Sequence, residues 1–127
     1  GKRRFLRAFL RSFKFAAEGI AHGFRTQRNM RVELGVAVVV VFAGILFRIA
    51  AVEWAVIFVC IGLVLSAELI NTVIELAVDL LVQHYHPMAK VAKDAGAGAV
   101  LIAALTSVAV GIAIFGTRLW RILFGEG

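Results

Sequence analysis

The sequence predicts an all-α integral membrane fold: three transmembrane helices preceded by an amphipathic interfacial helix. Three observations predict it. Hydrophobic residues fill 61% of the 127 positions, with a single proline, and the mean hydropathy of +0.93 is far above that of a soluble domain. Three long apolar runs are separated by short charged segments. Nine of the fourteen Lys and Arg lie between Lys2 and Arg31, where Glu18 is the only acid. The whole chain, 1–127, reads as one domain, because three spans leave too little polypeptide for a separate globular head. Any site must therefore be built from the spans and their connections.

Residues 1–26 place Phe5, Phe9, Phe13, Ala16, Ala17 and Ile20 at helical spacing among Arg3, Arg4, Arg7, Arg11 and Lys14. That pattern fits a helix lying among the headgroups with its aromatics in the acyl region, either as an anchor or as a lid over a cytoplasmic site. It is not a cleavable signal, since its apolar stretch is discontinuous and no small-residue cleavage site follows. Gly1 in place of an initiating methionine implies a trimmed or processed start.

The membrane helices are expected at 30–48, 53–83 and 93–118, with a turn near Ile49–Val52 and a loop from Gln83 to Asp94. The apolar run of the first, 32–47, is short for about 30 Å of hydrocarbon, and the second is longer than needed. The third opens on Ala95, Gly96, Ala97, Gly98 and Ala99, a run that lets a neighbouring helix approach closely. A close backbone approach to phosphate is the weaker reading of those glycines. The basic N-terminus should stay in the cytoplasm, placing the C-terminus outside, with Trp54 and Trp120 in an outer aromatic belt. The basic charge points to anionic headgroups and not to nucleic acid, given how apolar the rest of the chain is. Cys60, the single cysteine, forms no internal disulfide and reads as a small, inert, mid-span residue.

Glu68, Asn71, Glu75 and Asp79 recur at offsets of three, four and four within the second span, so they share one stripe of a helix. Ionisable groups at membrane depth are costly and mark a functional site by default. With Lys93 and Asp94 they offer hard oxygen ligands for Mg²⁺, a base and a cation for phosphate, which is the equipment of phosphoryl transfer. No Walker A loop or protein-kinase signature is present. On residue types alone, an ion or proton pathway fits nearly as well, and a nonenzymatic channel or scaffold remains the rival from another class.

The string AELINTVIELAVDL at 67–80, followed by HPMAKVAKDAGAGAVL at 86–101, closely resembles the prokaryotic diacylglycerol kinase family of small trimeric membrane lipid kinases. The resemblance spans nearly the whole chain. Arg28-Asn29-Met30, Glu53-Trp54 and His86-Pro87 look more like the Gram-positive branch, whose members phosphorylate undecaprenol. The resemblance implies a homotrimer in the bacterial cell membrane with composite sites between subunits, ATP as phosphoryl donor, Mg²⁺ as cofactor and a lipid alcohol as acceptor. Diacylglycerol is the alternative acceptor.

Position by position, the resemblance makes Glu68 the general base, Asn71 the group that orients the reacting atoms and Glu75 a metal ligand. Lys93 and Asp94 would contact the nucleotide, with Tyr85 and His86 at further positions of its site. Glu33 and Asp79 would serve substrate or structure: Asp79 equally suits a salt bridge to a nearby Lys, and Glu33 a favourable helix N-terminal charge. One departure stands out. Where the family carries a second metal-binding glutamate, this chain has Gln27, whose amide offers one neutral oxygen and cannot chelate with two.

Overall fold

A computed structural model describes residues 1–125 and shows four helices: α1 Lys2–Thr26, α2 Arg28–Phe47, α3 Ala51–Leu81 and α4 Pro87–Phe124. The last three are each long and apolar enough to cross a bilayer, so this is a multi-pass membrane protein. Few of their apolar side chains are buried within the chain. Residues such as Leu46, Val59 and Ile102 lie open, an arrangement that water would penalise and that lipid or neighbouring protein accommodates.

Gln27 alone separates α1 from α2, with extended backbone at φ −108°, ψ 111°. The junction is held from three sides. The Gln27 N–H donates to Gly23 O at 2.8 Å, and Arg31 Nη1 donates to the carbonyls of Phe24 and Arg25, both at 3.0 Å, satisfying the orphan acceptors of α1. Met30, almost fully buried, sits against Gly23: a Cβ there would meet Met30 Sδ at 2.6 Å and Leu69 Cδ1 at 3.0 Å. The end of α1 is thereby pinned beside the middle of α3.

At the opposite end α2 stops at Arg48, which takes a left-handed conformation (φ 51°). Ile49 N–H closes back on Gly44 O at 3.2 Å, as expected of a left-handed C-terminal motif. Glu53 Oε1 accepts from Ala50 N–H at 2.8 Å and starts α3. The same carboxylate pairs with Arg118 of α4, whose other guanidinium nitrogen donates to Arg48 O at 3.4 Å. Trp54 packs over Gly44, whose missing Cβ leaves room for the indole, and Ile49, Ile57 and Ile114 form the small core beneath. This charged knot marks one membrane face.

The structure corrects the expected third helix and the loop before it. Helix α4 runs from Pro87 to Phe124, not 93–118, and the loop expected at Gln83–Asp94 shrinks to residues 82–86. The basic residues read as loop are helical for local reasons. His86 is extended before proline, its Nδ1 accepts from Met88 N–H at 3.1 Å, and Pro87 occupies the first helical position. Lys90 and Asp94 pair at 2.6 Å one turn apart. At the far end, Trp120 and Phe124 pack ring to ring, and Gly125 closes the helix at φ 60°. Lys90, Lys93 and Asp94 thus sit on a rigid helix.

Candidate active site

Helix geometry places the acidic stripe at depth. Counting from Glu53 at the charged knot, Glu68 lies about 22 Å along α3, Glu75 about 33 Å and Asp79 about 39 Å, against a hydrocarbon thickness of about 30 Å. The stripe therefore climbs out of the apolar slab toward the opposite surface. Exposure follows the climb: Glu68 is 3% exposed, Asn71 and Glu75 are half-buried, and the Asp79 side chain is 63% exposed.

Glu68 is the costly member. No ion pair to it forms among the described residues. Its electrostatic neighbours are Glu33 across on α2, Glu75 two turns along α3, and the amide of Asn29. Thr72 secures the local helix by donating to Glu68 O at 2.9 Å. A buried carboxylate without an ion pair adds nothing to stability through its charge, since its desolvation is not offset by a cation among the described residues. Such an arrangement suits a group kept for chemistry.

Below Glu68, one helical turn away, Val64 and Leu65 line an apolar cavity of about 350 Å³ between α2, α3 and α4, with Glu33 on its wall. Above it, a cleft of about 240 Å³ gathers Asp79, His84, Tyr85, His86, Lys90, Lys93 and Asp94. Lys93 Nζ bonds Asp79 Oδ1 at 2.6 Å, while Asp94 bonds Lys90. Both pairs are solvent-exposed and so are readily exchanged for a stronger anion. Glu75 lies on the same stripe of α3, two turns from Glu68 and one from Asp79, between the buried carboxylate and the cationic cleft.

Asn71 Nδ2 donates to Glu75 Oε1 at 3.2 Å. Its carbonyl oxygen points toward Gly96 of α4, buried and without a hydrogen-bond partner. Asn71 thus orients Glu75, one turn along the same helix. Glu68, Asn71 and Glu75 form one group in the structure, and Asp79, Tyr85, His86, Lys93 and Asp94 a second. Gln27 stands apart at the α1–α2 junction and lines neither cavity. Among the described residues no three His, Cys, Asp or Glu side chains converge as a metal site. Asn29 was missed as a neighbour of Glu68, although its spacing of four from Glu33 was a readable signal. Lys90, expected beside the acidic stripe in the same segment as Lys93, joins that cleft as the partner of Asp94.

Unpaired carboxylates at membrane depth, an apolar cavity beneath them and exchangeable lysines above equip a helical membrane protein to move a phosphoryl group onto a lipid. The family model for prokaryotic diacylglycerol kinase matches residues 14–115; the chain belongs to that family and is an ATP-using lipid kinase. It is similar to the undecaprenol kinase of Bacillus subtilis (strain 168), 44% identical over 110 residues that cover 87% of this chain and 89% of that protein. It is also similar to a diacylglycerol kinase of Synechocystis sp., 46% identical over 101 residues covering 79% of this chain and 58% of that protein.

Proposed function

We propose that this kinase phosphorylates the hydroxyl of undecaprenol with MgATP at the cytoplasmic membrane face, yielding undecaprenyl phosphate and ADP. The observation that carries the reading is Glu68: buried, without a cation partner among the described residues, and one turn above an apolar cavity that can take the hydroxyl end of a long lipid alcohol. The likeness to the Bacillus subtilis enzyme over most of both chains supports the acceptor. Diacylglycerol is the second reading, supported by the Synechocystis relative.

The acceptor hydroxyl enters sideways from the bilayer and meets the Glu68 carboxylate, which takes its proton late in the attack of oxygen on the γ-phosphorus. The bond from the γ-phosphorus to the bridging oxygen breaks and ADP leaves. Lys93, released from Asp79, holds the phosphates, and Asp94, Tyr85 and His86 line the nucleotide cleft. Asn71 keeps Glu75 aimed. Glu33 and Asp79 frame the acceptor and donor sides.

The donor set suits magnesium, which binds through one or two carboxylates and completes its shell with phosphates and water. Glu75 would hold it; Gln27, set apart at the α1–α2 junction, would add its single neutral oxygen only where that junction meets Glu75, and as a weaker ligand than a glutamate. Bound there, magnesium would supply positive charge to offset that of the phosphates.

We place α1 in the headgroup layer, with Phe5 stacked on Phe9 and Phe9 edge-to-face with Phe13 and the N-terminus cytoplasmic. The C-terminus then lies outside. A homotrimer is part of the same reading: one chain leaves its spans broadly open and closes no metal shell among the described residues, and neighbouring protomers would supply the missing walls.

Initial rates with undecaprenol and diacylglycerol, measured side by side in mixed micelles, test the proposal. Preference for undecaprenol supports it, preference for diacylglycerol selects the second reading, and ATP consumption independent of either lipid overturns both.

A further inference from the structure

Gly96 is buried on the side of α4 that packs against α3. Asn71 Oδ1 occupies the space that a Cβ on residue 96 would need, and Ile74 Cδ1 lies 3.3 Å from the same point. The amide has one workable orientation. Its Nδ2 donates to Glu75 at 3.2 Å, and an ionised carboxylate only accepts, so turning the amide over would set oxygen against oxygen. Oδ1 must then point back at α4, where it is buried without a hydrogen-bond partner. A glycine Cα–H is a weak but compatible neighbour for that oxygen; any side chain would drive the amide off its carboxylate.

We infer that Gly96 is a positioning residue for phosphoryl transfer: by having no side chain it seats Asn71, and Asn71 fixes the Glu75 carboxylate. General crowding between α3 and α4 does not explain the glycine, because on the same face a space of about 170 Å³ lies open beside Asn71, Ile74, Gly96 and Ala99. The inference rests on the magnesium-holding role proposed for Glu75 only for its kinetic consequence. The coupling between residues 96 and 71 stands on packing alone.

The test is a double-mutant cycle in the full chain, using Gly96→Ala, Asn71→Ala and the pair, with Gly98→Ala as control. Gly96→Ala should raise the magnesium concentration giving half-maximal lipid phosphorylation by about tenfold, the lower end of what a hydrogen bond to a charged group carries. Gly98→Ala should leave it unchanged. In the Asn71→Ala background, Gly96→Ala should leave the magnesium requirement unchanged and should not lower the thermal midpoint, because no amide is left to displace, the Ile74 methyl is free to give way and alanine favours the helix. Equal penalties in both backgrounds overturn the inference. If Gly96→Ala alone is too unstable to assay, comparing Asn71→Ala with the pair decides the same question. Unchanged magnesium dependence in Glu75→Gln, with the 96–71 coupling intact, would remove the metal role and leave the positioning role standing.

Discussion

Replacing Glu68 by glutamine separates chemistry from stability, because the two should move in opposite directions. The carboxylate is 3% exposed, has Glu33 and Glu75 as charged neighbours and forms no ion pair among the described residues. Glutamine keeps the volume and removes the charge. Loss of a positioned base should lower turnover about 10²–10⁴-fold. Relief of an uncompensated buried charge should raise stability by roughly 1 kcal/mol or more. Transfer of labelled γ-phosphate to lipid in mixed micelles reads the first quantity, thermal unfolding in the same detergent reads the second, and nucleotide binding should persist. Full turnover in Glu68→Gln would end the assignment of the base. A fall in activity that tracks a fall in the thermal midpoint would show Glu68 to be structural.

Three further outcomes are expected. Glu75→Gln should weaken MgATP binding, shifting the magnesium titration to higher concentration by about tenfold, and an unshifted titration would count against a ligand there. Gln27→Glu should raise activity at limiting magnesium by restoring a charged oxygen donor at the α1–α2 junction; equal rates for the two forms would deny residue 27 a metal role. Arg118→Met should lower the thermal midpoint by several degrees, since it frees the Glu53 carboxylate and the Arg48 carbonyl at once. The MgATP requirement of that variant should stay unchanged, because the knot lies at the opposite end of α3 from the acidic stripe.

The shared face of the candidate site residues was legible in advance because helical spacing is a one-dimensional property. Glu68, Asn71, Glu75 and Asp79 share a stripe on any α-helix, and their presence in an apolar run signals function without coordinates. What the spacing could not reveal is which partner each member has. Asp79 holds Lys93 and Asp94 holds Lys90, although Lys93 and Asp94 are chain neighbours that a sequence invites one to treat as a pair. The misread loop has a similar origin. Lysines and histidines near a proline look like a connection, yet an N-cap by His86 and a Lys90–Asp94 pair turn the segment into the first turns of α4.

By itself the sequence determined the helical membrane class, since apolar composition and run length depend on solvent preference and not on partners. It likewise determined the acidic face of the second span. Only the tertiary structure decided that the Asn71 carbonyl faces Gly96 while its amide holds Glu75, that Glu33 of α2 lines the cavity one turn below Glu68, and that Arg118 ties the α2–α3 turn. Each of these is a meeting between residues on different helices or around one buried amide. Such meetings are set by the register in which helices pack, and no periodicity along one strand of sequence encodes that register.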